Sequence, residues 1–169
     1  ERIWEMVQEE PARADFVHPF HPALLTGYGT IALELMERAG SLVIPFGLGG
    51  LAAAVTHALE LAGSALRVVL CEVEGHAPMQ RALAAGAPEE GPRLVSYIEV
   101  LGTPCALPAV FDFFRSRRPV VVTVTPDEVS AALLELHRRH GQAVEGAAAA
   151  AWAASRKLEA PSTALLTGA

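Results

Sequence analysis

Short, largely apolar runs alternate along this chain with stretches whose composition favours helix. Leu42–Phe46, Leu66–Glu72, Pro119–Val124 and Ala164–Leu166 lack the polar alternation of a half-exposed strand, which predicts strands buried on both faces. Between them, helices are predicted over Ala52–Leu61, Pro78–Ala85, Ala109–Arg115, Thr125–His140 and Glu145–Leu158, with Gly63, Gly86 and Gly141 as stops. Thr125-Pro126-Asp127-Glu128 carries proline at the first helical position and a glutamate placed for a reciprocal cap. Nearer the start, Arg2–Glu10 reads as an amphipathic helix, and Pro22 and Gly27 keep the segment after His18-Pro19-Phe20 non-helical. Thr30 then caps a helix through Ala39, closed by Gly40, and Leu94–Val100 reads as extended. Alternating helices and continuous apolar strands predict an α/β fold: a three-layer, open, mostly parallel sheet with helices on both faces. Ligands of such sheets sit at the carboxyl ends of the strands, where Gly47–Leu51, Glu72–His76 and Thr167-Gly168 would crowd together.

The 169 residues suit one core, and 51% hydrophobic against 19% charged residues argues against disorder. A net charge of −6 without a basic cluster excludes nucleic acid as the expected partner, and no apolar run is long enough to span a membrane. Cys71 and Cys105 form no C-x-x-C pair and the six histidines no helical H-x-x-x-H pair, so the reading is a reduced, cytoplasmic protein without a metal site. Because the chain begins at Glu1 inside a helical stretch and stops after a strand, it reads as a piece of a longer polypeptide. Residues 1–15 would then be the end of a helix from a preceding part, and residues 16–169 the α/β domain.

The candidate chemistry lies in Leu42-Val43-Ile44-Pro45-Phe46-Gly47-Leu48-Gly49-Gly50-Leu51, a strand, a glycine turn and a helix start. Glycines let backbone N–H groups approach a ligand, and the helix adds unpaired donors and the positive end of its dipole. That makes an anion cradle, although the spacing is neither a P-loop nor a dinucleotide fingerprint.

Four segments carry a resemblance to the serine/threonine dehydratases, fold-type II pyridoxal-phosphate enzymes related to tryptophan synthase β-subunits. Gly27-Tyr28-Gly29-Thr30-Ile31-Ala32-Leu33-Glu34 after His18-Pro19-Phe20 is similar to their G-Q-G-T-x-x-x-E segment. Pro45–Leu51 resembles their P-V-G-G-G-G-L phosphate loop, Glu145-Gly146-Ala147-Ala148-Ala149 their E-P/G-x-A-A-x helix start, and Leu165-Leu166-Thr167-Gly168-Ala169 their L-S-G-A/G-N terminus. The resemblance implies the C-terminal part of an ammonia-lyase that eliminates the β-hydroxyl of a small amino acid to give a 2-oxo acid, with pyridoxal 5′-phosphate as cofactor and a homodimeric assembly. It places the cofactor phosphate on the N–H groups of Gly47, Leu48, Gly49, Gly50 and Leu51, the pyridine nitrogen at the Thr167 hydroxyl, and Glu145 near the ring or at the helix cap. A hydroxyl cannot hold that nitrogen protonated as a carboxylate would, which implies a weaker electron sink.

The departures are as specific as the matches. Leu48 stands where a second glycine is usual, and Tyr28 replaces glutamine. Glu72 lies where some dehydratases place a cation ligand, but Val73 replaces the following proline and Pro78 supplies no second carboxylate. The Schiff-base lysine of the family precedes the glycine loop in an S-x-K motif. Here the one lysine is Lys157, in Ser155-Arg156-Lys157 at a helix end, where it complements the dipole. No catalytic residue is therefore expected in this chain, and it should be inactive alone. A threonine synthase-like fragment and a non-catalytic binding or assembly module remain the alternative readings.

Overall fold

The computed structural model describes residues 17–92 and 97–168. Among the described residues, four parallel strands, β1 (Ser41–Pro45), β2 (Arg67–Val73), β3 (Val120–Val124) and β4 (Ser162–Ala164), form one sheet in the order β3-β2-β1-β4. In register, Val43 pairs with Val69 and Ala164, and Cys71 with Val122. Among the described residues, seven helices cover the sheet: α1 (Pro22–Gly29), α2 (Ile31–Leu35), α3 (Gly50–Leu61), α4 (Pro78–Ala85), α5 (Pro108–Arg115), α6 (Pro126–His140) and α7 (Gly146–Ser155). The expected α/β, three-layer parallel architecture is the one observed.

Strand alternation divides the core in two. Leu42, Ile44, Phe46 and Leu70 face one side, packed by Val55 of α3, Met79 of α4 and Phe114 of α5. Phe114 meets Phe46 edge-on at 6.0 Å between ring centroids. Val43, Val69, Cys71 and Val124 face the other side, under α6 and α7. The buried alanines Ala147–Ala151 and Ala154 give α7 a small cross-section, so it lies close against all four strands.

Helix caps follow the sequence closely at α6. The Thr125 hydroxyl accepts the Glu128 N–H at 3.1 Å, and the Glu128 carboxylate accepts the Thr125 N–H at 2.7 Å. Thr125→Ala removes one half of this reciprocal cap and is expected to cost about 1–2 kcal/mol in urea unfolding.

The first helices differ from expectation. Pro22 does not break the chain: it sits in the first turn of α1, where its missing N–H costs nothing, and the His21 side chain caps the helix by accepting the Ala23 N–H at 3.3 Å. Thr30 is itself helical, and its hydroxyl donates backward to the Gly27 carbonyl at 2.7 Å, so its side chain does not cap α2; that helix ends at Leu35 rather than Ala39. At the far end of the expected strand Leu94–Val100, Glu99–Leu101 forms a 3₁₀ turn. The helix expected over Arg2–Glu10 and the boundary at residues 15–16 lie outside the described residues.

Candidate functional site

β1 ends at Pro45, and the chain turns through Gly47-Leu48-Gly49 directly into α3. Gly49 is the N-cap residue, with φ 87° and ψ −1°, and no side chain caps the helix. A Cβ at Gly49 would lie 2.6 Å from Val110 Cγ1 and 2.7 Å from the Phe46 ring, so both conformation and space require glycine. Among the described residues, the N–H groups of Leu48, Gly49, Gly50 and Leu51 have no hydrogen-bond acceptor; the first bond of the helix runs from the Ala53 N–H to the Gly49 carbonyl at 2.9 Å. These residues and the positive end of the helix dipole lie at a cavity of about 570 Å³ at the carboxyl ends of β1 and β4.

Two further segments line the same cavity. Leu165, Leu166 and Thr167 continue from β4, and Glu145 precedes α7. The Glu145 N–H donates to the Gly168 carbonyl at 3.1 Å, which ties the two segments together. The Thr167 hydroxyl donates to Glu145 Oε1 at 3.3 Å. Glu145 occupies the N-cap position of α7 without a side-chain cap bond, leaving its carboxylate directed to Thr167. Tyr28 adds a phenol, and Pro19, Ile31, Leu48 and Val100 supply apolar surface. The cavity therefore offers both backbone N–H donors for an anion and side-chain hydrogen-bonding groups.

All seven residues picked from sequence, Gly47 through Leu51, Glu145 and Thr167, line this cavity. Glu72–His76 does not join them. Glu72 is fully buried, and its two carboxylate oxygens accept the Met79 N–H at 2.7 Å and the Gln80 N–H at 3.0 Å, so it caps α4. Burial pushes the Glu72 carboxyl up to about 7, against the downward pull of these two N–H groups and of Arg81. His76 is buried with Nδ1 unpartnered, and desolvation, assisted by Arg81, lowers its imidazole below the usual value. Among the described residues, no three His, Cys, Asp or Glu side chains converge as a metal would require. Cys71 is buried, and desolvation, reinforced by Glu72, raises its thiol to about 12, which leaves it unreactive. Lys157 lies away from the cavity. Its ammonium donates to Glu128 at 2.7 Å and to the Thr123 carbonyl at 3.0 Å, rather than to the carbonyls that end its own helix. Sequence reasoning missed the Tyr28 and Val100 walls, which only the packing of α1 and the 3₁₀ turn around the glycine loop brings in.

The profile of the pyridoxal-phosphate dependent enzymes matches residues 3–166. The chain belongs to this family. The biosynthetic L-threonine dehydratase of Salmonella typhimurium is 31% identical over 146 residues, 84% of this chain and 28% of that protein. Phenylserine dehydratase of Ralstonia pickettii is 33% identical over 143 residues, 82% of this chain and 44% of that protein. Among solved structures, a threonine deaminase from T.th. superposes with a TM-score of 0.73 at 26% identity, covering 82% of this chain and 53% of that one. Maize serine racemase shares the fold, with a TM-score of 0.71 at 23% identity over 78% of this chain and 41% of that one. The chain thus spans less than half the length of these two curated relatives.

The cavity fits the family's cofactor on its own geometry. The glycine turn leaves N–H donors free for a phosphate, and its Gly49 conformation is held from the core side, where a Cβ would meet Val110 and the Phe46 ring. The same cavity holds a polar pair, the Thr167 hydroxyl and the Glu145 carboxylate.

Proposed function

We propose that this chain is the cofactor-phosphate-binding part of a pyridoxal-phosphate dependent ammonia-lyase that converts a small β-hydroxy amino acid to a 2-oxo acid. The observation that carries this reading is the uncapped start of α3, with unpartnered N–H groups at a cavity that Thr167 and Glu145 also line. The N–H groups of Leu48, Gly49, Gly50 and Leu51 would hold the phosphate dianion, and the α3 dipole would favour its charge. Leu48, lining the cavity at a loop position where the dehydratase pattern carries glycine, would keep water from that anion and shorten the space beside it. Thr167 would meet the pyridine nitrogen through its hydroxyl. The cofactor supplies an aldehyde that takes up the substrate amine and a conjugated ring that draws electrons from the α-carbon.

The reactive amine is assigned to polypeptide outside this sequence. Lys157 is tied to Glu128 and Thr123, and among the described residues no lysine lines the cavity. The names of the dehydratase relatives support the elimination reaction and a hydroxy amino acid as substrate. The test is an assay of the longest natural polypeptide containing this chain with L-threonine and L-serine. Ammonia and 2-oxo acid release that depends on added pyridoxal 5′-phosphate is expected, and no turnover from residues 1–169 alone. Turnover by the 169-residue chain alone, or none by the longer polypeptide, would overturn the proposal.

A further inference from the structure

We infer that Arg81 is a positioning residue: through Pro104 and Thr103 it holds the segment 99–104 against the glycine loop and so keeps that loop in the form that binds phosphate. The inference rests on the cofactor reading above and goes beyond it in naming what steadies the loop.

The turn Gly47-Leu48-Gly49 has few side-chain atoms of its own, so its shape depends on what packs against it. At Gly49 the neighbours are Val110 and the Phe46 ring, in the core. At Gly47 the neighbour is a second segment. A Cβ there would overlap the Val100 carbonyl oxygen, so the two backbones touch. The Thr103 hydroxyl then donates to the Gly47 carbonyl at 3.3 Å, a bond whose direction is fixed because a carbonyl has no proton to give. Val100 and Leu101 line the cavity beside the loop they support.

Segment 99–104 needs an anchor in turn, since after the 3₁₀ turn Glu99–Leu101 it has no regular structure through Pro104. Leu101 is buried and sets its depth, but apolar burial is non-directional and does not orient a backbone. Orientation comes from the carbonyl of buried Pro104, which accepts two bonds, from Arg81 Nη2 at 2.9 Å and from the Gly91 N–H at 2.8 Å. A Cβ at Gly91 would overlap the Arg81 guanidinium, so glycine at that position is what admits it. Arg81 projects from α4, whose first turn is tied to β2 by the Glu72 carboxylate. Rigid contacts therefore run from β2 through Glu72, α4, Arg81, Pro104 and Thr103 to Gly47. Arg81 does not itself line the cavity, and its Nε is buried without a partner, so its hold on the loop passes through the one bond from Nη2. A charged donor makes that bond stronger than a neutral one would.

The experiment measures, by calorimetry, the affinity of pyridoxine 5′-phosphate for the longest natural polypeptide containing this chain, freed of cofactor. The probe has no aldehyde to condense with a lysine. Arg81→Met keeps an apolar stem and removes the donor, and its affinity should fall about fivefold, the order of one net hydrogen bond. Arg81→Lys can make the same single bond and should bind within about twofold of wild type. Thr103→Val breaks the link at its other end without touching α4. It should lose about as much as Arg81→Met, and the double variant should bind like either single one. Independent damage at two sites would instead multiply the losses. Arg81→Met or Thr103→Val binding as wild type does, a lysine variant as weak as the methionine one, or losses that multiply would each overturn the inference and leave the phosphate site standing. If Arg81→Met lacks the wild-type circular dichroism, Arg81→Lys and Thr103→Val decide the matter by the same criteria. No binding by wild type would overturn the cofactor reading and this inference with it.

Discussion

Replacing Gly49 with alanine is expected to destabilise the chain by about 3 kcal/mol and to remove its affinity for phosphate esters. Two costs combine. At φ 87° an L-residue is strained, and its Cβ would sit 2.6 Å from Val110 and 2.7–2.8 Å from the Phe46 ring. Phe46 and Val110 are buried against Phe114 in the core beneath α3, so neither side chain can yield without opening that layer. Gly63 supplies the control. It has a similar φ of 65° but open space around it, so Gly63→Ala should show the backbone cost alone, about 1 kcal/mol. Urea unfolding of the two variants separates strain from overlap. The turn would shift to relieve the overlap in Gly49→Ala, moving the N–H groups of Leu48–Leu51 off their common target, and the affinity for pyridoxine 5′-phosphate should fall more than about tenfold. Gly63→Ala should bind as wild type does.

Stability should also decline as pH rises from about 4.5 to about 7, by roughly 3 kcal/mol, because of Glu72. Its carboxyl is raised from 4.5 to about 7 in the folded chain, chiefly by burial. A group whose folded value is raised binds its proton more tightly folded than unfolded. Its contribution is therefore complete below pH 4.5, is lost progressively up to about pH 7, and is flat above. His76 acts in the other sense. Burial lowers its folded value below 6.5, so it favours the folded state above that pH and its contribution fades as pH falls. Comparing wild type with Glu72→Gln isolates the carboxyl, because the amide cannot titrate and His76 is common to both. The difference in unfolding free energy between the two proteins should change by the stated amount between pH 4.5 and 7. A difference independent of pH would mean that the two N–H groups of α4 hold Glu72 ionised throughout.

The sheet and most helices are legible in the sequence because each rests on local signals: apolar runs for β1–β3, a proline at the first helical position and a glycine stop for α4, and a reciprocal cap for α6. The glycine turn is legible because the need for N–H donors beside a ligand is met by backbone, and glycine spacing displays it. Expectation and structure part where one residue type serves opposite local roles. Pro22 has the chemistry of a breaker yet opens α1, and Thr30 that of a cap, yet its hydroxyl turns back to Gly27. Other features depend on long-range pairing that no local pattern reveals. Glu72 caps a helix beginning six residues later, and Thr167 meets Glu145 twenty-two positions away. That the two line one cavity emerges only once the fold has brought those segments together.

The most direct test of the central claim is a titration of this chain with pyridoxine 5′-phosphate, and separately with pyridoxine, read at the backbone amides of residues 47–52. The account predicts saturable shifts of the Leu48, Gly49, Gly50 and Leu51 amides with the phosphate ester and none of comparable size with the unphosphorylated ring. Equal shifts with both, or shifts confined to other parts of the chain, would contradict a phosphate site at the start of α3.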